Sequence, residues 1–253
     1  MREDQRLRVT YRYVLQHLGW LFVVIMQALG LDDSHLFVLN NNLDNKQRLH
    51  KAIEADYRAL IASAKEAGFN LQVASGYRDF NRQSMIWNSK FNGHRPVQAL
   101  NGNVIDIESK FGFDKLAAIL TFSALPGLSR HHWGSDFDYY DASTIAPEYQ
   151  LQLESHEYQS GGPFSGLSDW LDKNAKKFGF FKPYASYQGG VASEPWHLSH
   201  IKIASQYEST IKSLTKDEFS KILNDHKVEG TDIISEHFDT ILQQFVFNIV
   251  EQS

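Results

Sequence analysis

The sequence predicts an α+β fold: a single domain whose central antiparallel sheet is flanked by helices and continued by a C-terminal helical extension. Three observations carry that expectation. Apolar residues recur at helical spacing in several separate stretches, short aromatic or aliphatic runs lie between them, and Asn101-Gly102 and Gly189-Gly190 mark hairpin turns.

From Asp44 to Gly68, the residues Leu49, Ile53, Tyr57, Leu60, Ile61 and Ala64 keep helical spacing and end at a glycine suited to a C-terminal cap, which predicts a first helix. A strand follows over Asn70–Ala74. Phe80–Phe91 reads as a second helix carrying Gln83 and Trp87, Gly93–Ile107 as a hairpin or loop, and Asp114–Leu125 as a third helix. Tyr149–Leu153 reads as a strand, Ser160-Gly-Gly-Pro163 as a loop, Leu167–Phe178 as a helix and Phe180–Ser199 as a hairpin. Beyond Ile203, the residues Phe219, Ile222 and Leu223, then Ile233, Ile234, Phe238, Ile241, Leu242 and Phe245, return to helical spacing. Residues 204–253 therefore read as a helical cap on a principal domain over 31–203.

The amino end admits two readings. Arg2, Arg6, Arg8 and Arg12 precede an apolar run from Leu18 to Met26, and Ala28-Leu-Gly30 has the small residues of a cleavage site, so residues 1–30 resemble a secretory signal. Glu3, Asp4, Gln16 and His17 argue against it, and Met26 is an alternative true start. The first reading places the protein in the periplasm or cell envelope, the second in the cytoplasm. The apolar run is too short to cross a bilayer comfortably, so no stable membrane span is expected. A net charge of -5 over 253 residues argues against a nucleic-acid partner, which a basic stripe would mark. Cysteine is absent, which excludes disulfides and thiolate ligands.

The most informative residues are Ser129-Arg-His-His-Trp-Gly-Ser-Asp-Phe-Asp138 and the later Glu194-Pro-Trp-His197. Together they offer two imidazoles, a carboxylate and a spare glutamate, the parts of a catalytic zinc site. Three protein ligands leave one coordination position for water, whose pKa the metal lowers towards neutrality, and a nearby carboxylate can take the proton.

These blocks, with Ser75-Gly-Tyr-Arg78 and Gln83 upstream, resemble the zinc D-alanyl-D-alanine carboxypeptidases and dipeptidases of the VanY/VanX type, whose fold also includes some endolysin peptidases and the hedgehog signalling domain. The resemblance spans about residues 45 to 203 and implies the same α+β fold. It implies zinc as cofactor, held by His131, Asp138 and His197, with Glu194 as general base and Arg78 stabilising the oxyanion. It also places Ser129 and Gln83 on the substrate side, with a peptidoglycan-derived peptide as substrate. One departure is visible, since Asp136 stands where such proteins often carry a small residue, usually alanine. D,D-carboxypeptidase, L,D-carboxypeptidase, D,D-dipeptidase and L-alanyl-D-glutamate endopeptidase activities all remain open, because they differ in pocket shape around one metal. A non-catalytic, zinc-stabilised peptide or cell-wall binding module and a structural envelope protein that has kept the fold are the rivals from other classes. The presence of both Glu194 and Arg78 favours the enzyme.

Spacing constrains the site further. Side chains an odd number apart on a flat strand face opposite ways, so His131 and Asp138 cannot reach one metal unless the chain turns between them, which Gly134 permits. Glu194 and His197 meet the same difficulty, and Pro195 is a plausible break before a strand. His132 is expected to point away from the site and His200 to lie behind it or on the surface. Trp133 and Trp196 are candidate pocket walls. Asp136 is expected either to read a substrate amine or to bond a ligand histidine.

Overall fold

The computed structural model describes residues 19, 21–39 and 47–250. In chain order the first elements are a helical segment α1 (21–28), β1 (Leu36–Val38), β2 (Arg48–His50), α2 (Glu54–Glu66), β3 (Leu71–Ser75) and α3 (Phe80–Phe91). Then come β4 (Val97–Gln98), β5 (Val104–Ile105), α4 (Gly112–Leu120), β6 (Asp136–Asp141), α5 (Ser155–Tyr158) and α6 (Ser165–Asn174). The chain continues through β7 (Phe180–Phe181), β8 (His197–His200), α7 (Ile201–Lys212), α8 (Lys216–Asp225), α9 (Thr231–Glu236) and α10 (Phe238–Ile241).

A four-stranded sheet, ordered β3-β6-β8-β7 with every neighbour antiparallel, forms the centre. The sequence of β6, Asp-Phe-Asp-Tyr-Tyr-Asp, explains its two faces, because alternation sends Asp136 and Asp138 one way and Phe137 and Tyr139 the other. Phe137 meets Tyr57 of α2 edge-on at 5.6 Å and Phe180 of β7 at 5.7 Å, so that side is the core. Burying an aromatic ring such as Phe137 contributes on the order of 1.5–3 kcal/mol. The register sets Asp138 opposite His197 and Asp136 opposite Ser199. Directly opposed residues share a face, so the polar face of the sheet gathers all four.

The helix expected from Asp44 begins only at Glu54, because residues 48–50 form β2 against β1. Leu49 is buried between half-buried neighbours, so its apolar signal belongs to a strand even though it also fits helical spacing with Ile53. Tyr149–Leu153 forms no strand. The Tyr149 hydroxyl and the Gln152 amide instead donate to the carboxylate of buried Glu157, at 2.7 and 3.2 Å. Asn101-Gly102 does turn a hairpin, β4 against β5, with Gly102 in the left-handed region at φ 80°. Gly189-Gly190 lies at the middle of the reversal that joins β7 to β8, where the Glu194 amide donates to the Tyr184 carbonyl at 2.8 Å; Gly189 has φ 93°, Gly190 lies against the Gln244 carbonyl with no space for a Cβ, and the Gln244 side-chain amide donates to the Gly189 carbonyl at 2.8 Å.

Both ends of the described chain join one apolar core. Phe219, Leu223, Ile234 and Phe238 pack with Phe80 and Trp87 of α3, and the Trp87 indole donates to the Glu229 carbonyl at 3.0 Å. Position 203/204, expected to begin the extension, lies inside α7. At the other end Ala28 and Leu29 have no exposed surface, and the Trp133 indole donates to Ala28 at 3.2 Å. The Phe80 amide and Tyr77 hydroxyl both donate to the Gly30 carbonyl, at 2.9 and 3.2 Å. Ala28-Leu-Gly30, a cleavage site on one of the two readings, packs into the folded domain, whereas Arg2, Arg6, Arg8 and Arg12 lie outside the described residues. Among those residues no helix is long and apolar enough to cross a membrane.

Candidate active site

A turn brings the two halves of the first block together. Residues Arg130–Trp133 form one 3-10 turn that ends at Gly134 in the left-handed conformation, φ 66°, and the chain then enters β6. His131 on that turn, Asp138 within β6 and His197 at the start of β8 consequently converge, with potential ligand atoms all within 4.8 Å of one another. His131 Nε2 lies 3.5 Å from Asp138 Oδ2, and His197 Nδ1 lies 3.3 Å from Asp138 Oδ1. A Cβ on residue 134 would meet Leu36 Cδ2 at 2.6 Å and the His50 amide nitrogen at 3.0 Å. Gly134→Ala is therefore expected to cost about 1–3 kcal/mol in strain and to separate the ligands. Thermal melts with and without a chelator should show a lower Tm and a smaller metal-dependent gain than wild type.

Hydrogen-bond partners assign the ring nitrogens. His131 Nδ1 donates to the Gly76 carbonyl at 2.9 Å, which leaves Nε2 with a lone pair towards the cluster. His197 Nε2 donates to Asp136 Oδ1 at 3.0 Å, which leaves Nδ1. Burial pushes the His131 imidazole down to about 4, so it is neutral at physiological pH. His197 Nδ1 and Asp138 Oδ1 are buried without any hydrogen-bond partner. Such orphaned groups cost about 1–3 kcal/mol each, and a divalent cation among two imidazoles and a carboxylate satisfies both. The donor set fits a metal.

Glu194 sits just before β8, its amide donating to the Tyr184 carbonyl at 2.8 Å, and its carboxylate lies 3.6 Å from His197 Nδ1. Burial raises its pKa to about 7. Pro195 provides the expected break, its carbonyl accepting from the Tyr139 hydroxyl at 3.0 Å. Arg78 is pinned through its backbone, which donates to the His131 carbonyl at 3.0 Å and accepts from His132 Nδ1 at 2.6 Å. Arg78, Ser129, Trp196 and Glu194 line a cleft of about 540 Å³ together with the three candidate ligands. The β4–β5 hairpin closes one side of it through Gln98, Ala99 and Leu100.

Of the residues weighed for the site, several lie outside the cleft. Gln83 is fully buried and accepts from Arg78 Nη1 at 2.9 Å while donating to the Ala124 carbonyl at 2.6 Å. It holds the guanidinium from behind and does not line the cleft. Asp136, considered as a reader of substrate amines, has no exposed surface and sits under His197, because the register places it beside Ser199, away from the cleft. Trp133 is core, stacked on Tyr207 at 5.9 Å. His132 faces away, accepting from the Gly127 amide at 3.0 Å. His200 caps α7 and bonds Asp56 at 3.0 Å. Sequence reading missed Tyr184, whose ring meets His197 edge-on at 5.2 Å, and the cleft cations Lys90 and Arg95. Lys90 lies seven positions beyond Gln83 on α3, a spacing of two helical turns that signals a shared face.

A family model described as VanY, D-alanyl-D-alanine carboxypeptidase, matches residues 46–203. An uncharacterized protein of Haemophilus influenzae is 30% identical over 128 residues, which cover 50% of this chain and 95% of that protein. A D-alanyl-D-alanine carboxypeptidase of Enterococcus faecalis is 25% identical over 185 residues, covering 70% of this chain and 57% of that protein. Among solved structures, VanYB in complex with D-Alanine-D-Alanine is 23% identical, with coverage of 74% of this chain and 88% of its own and a TM-score of 0.47. The stretch matched by the family model runs from β2 through β8 and takes up more than half of the 253 residues, so the chain belongs to the VanY family of D-alanyl-D-alanine carboxypeptidases.

Proposed function

We propose that the chain is a zinc-dependent carboxypeptidase that removes a terminal D-alanine from peptidoglycan-type peptides. The observation that carries this reading is the presence, around one cluster of two imidazoles and a carboxylate, of a carboxylate and a guanidinium that are both free of ligand duty. His131, Asp138 and His197 would hold the zinc, which when bound supplies an acidified water and polarises the scissile carbonyl. Glu194 takes a proton from the attacking water and later delivers it to the departing amine, a role suited to a carboxyl raised to about 7 by burial. Arg78, braced by Gln83, offers its guanidinium to the oxygen on which negative charge develops. Ser129 and Trp196 form the wall along which the peptide lies.

Charge in the cleft supports an exopeptidase over an endopeptidase. Lys90 is half-buried, its ammonium donates to Ser123 Oγ at 2.6 Å, and burial together with Arg95 and Arg78 lowers its pKa to about 8. Three cations, Lys90, Arg95 and Arg78, line the cleft and call for an anion, which a free C-terminal carboxylate supplies. Lys90→Met is therefore expected to raise KM about tenfold or more, the worth of a charged hydrogen bond, with little change in kcat. Steady-state kinetics on a peptide acid and its C-terminal amide check this, since the wild-type preference for the acid should shrink in the variant.

The decisive test is mass spectrometry of a muropeptide mixture incubated with the zinc-loaded protein. Loss of a single terminal alanine residue supports the proposal. Release of a dipeptide or cleavage between L-alanine and D-glutamate replaces it with the corresponding activity, and no cleavage with retained peptide binding replaces it with a binding module.

A further inference from the structure

Asp136 accepts three side-chain hydrogen bonds beneath the site. Its Oδ1 accepts from His197 Nε2 at 3.0 Å and from Arg130 Nε at 2.7 Å, while its Oδ2 accepts from Ser135 Oγ at 2.7 Å. Arg130, itself only 3% exposed, sends its two remaining arms to Glu208 Oε1 of α7 at 2.7 Å and to Ser199 Oγ of β8 at 2.8 Å. Its guanidinium lies over the Trp133 ring, 4.6 Å from the centroid. A continuous polar chain thus runs from α7 through Arg130 and Asp136 to the far nitrogen of His197.

We propose that Asp136 is a positioning residue for the metal ligand His197, and that Arg130 and Glu208 make α7 part of the same site. The inference rests on the metal reading above. A carboxylate on the outer nitrogen of a ligand histidine fixes the tautomer, stops the ring from rotating and makes the inner nitrogen a stronger donor. Asp136 and Asp138 are two positions apart on one face of β6, where two bare carboxylates would repel. Arg130 removes that repulsion: its planar fork bonds Asp136 and two further oxygens at once, which a lysine cannot reproduce. A network serving only to anchor α7 would need the Arg130–Glu208 contact alone. Sharing of a single Asp136 oxygen between Arg130 and His197 ties the anchor to the ligand.

The experiment compares the full-length wild type with two variants. Asp136→Ala alone strands a buried guanidinium and can fail by unfolding, so the informative protein is Asp136→Ala combined with Arg130→Met, which removes both charges. Glu208→Gln loosens the far end while leaving Asp136 in place. Zinc affinity is measured by chelator competition and ligand geometry by the visible spectrum of the cobalt-substituted protein. The double variant should fold cooperatively, bind zinc about 10–100-fold more weakly and show a shifted cobalt spectrum. Glu208→Gln should weaken zinc in the same direction by a smaller factor. A folded double variant with wild-type zinc affinity and an unchanged cobalt spectrum overturns the proposal and leaves a purely structural network. If wild type binds neither metal, the metal reading itself fails, a result distinct from any difference among the variants.

Discussion

Glu194→Ala is expected to retain the metal and the fold while losing at least ~100-fold in turnover, the lower end of what a general acid or base contributes. The geometry motivates both halves of that statement. Glu194 reaches the cleft from before β8 and stands beside His197 without belonging to the cluster that gathers His131, Asp138 and His197. Its removal takes away the proposed proton carrier and leaves every candidate ligand in place. Substitution of His197 should do the opposite, because it removes the metal as well as the activity and takes away the imidazole that stands 3.3 Å from the buried Asp138 carboxylate. Elemental analysis beside turnover separates the two. Zinc lost from Glu194→Ala would make that residue a ligand, and full zinc in His197→Ala would remove His197 from the site.

A chain starting at Leu31 is expected to lose most of its stability. Such a truncation removes the fully buried Leu29 and Ala28, and burying a leucine contributes about 2–5 kcal/mol relative to a small residue or a gap. It also takes away the Ala28 carbonyl that accepts the Trp133 indole and the Gly30 carbonyl that accepts the Phe80 amide. Each stranded buried donor costs about 1–3 kcal/mol, and the sum rivals the roughly 5–15 kcal/mol that separates folded from unfolded domains. Trp133 lies two positions after His131 in the same 3-10 turn, so the damage should spread to the candidate metal site. A chain starting at Met26 keeps all of these contacts, including the bond from the Leu31 amide to the Met26 carbonyl at 2.8 Å. Denaturant melts of the two chains test this. Equal cooperative stability would show that residues 26–30 are dispensable.

Helices with clear periodicity were legible from sequence, and so was the hairpin at Asn101-Gly102, since both depend on signals within a dozen neighbouring residues. The Phe80–Phe91 helix has the same bounds in the structure, set by the Asp79 cap that accepts from the Arg82 amide at 2.7 Å. The strand expected over Asn70–Ala74 is present as β3, one residue along, but the short β1–β2 pair was not legible. Leu49 satisfies a helix pattern and a strand pattern equally, and only the pairing of β2 with β1 decides between them. Gly189-Gly190 reads as a turn and lies at the middle of the β7–β8 reversal, with Gly189 at φ 93°, but what demands glycine at 190 is the approach of Gln244, more than fifty positions away.

The sequence by itself determined the chemical parts of the candidate site: which imidazoles, which carboxylates and which guanidinium are available, and that a turn at Gly134 must separate His131 from Asp138. Those follow from residue type and local backbone geometry. Only the tertiary structure decided how the parts divide between the cleft and the layer beneath it. Gln83 and Asp136 differ from Arg78 and Glu194 neither in polarity nor in distance along the chain from the candidate ligands. What separates them is strand register and helix packing, which bury the first pair against Ala124 and Arg130 and open the second to the cleft. Register is a long-range property, set by how a whole face of the sheet buries its apolar side, and no local pattern encodes it.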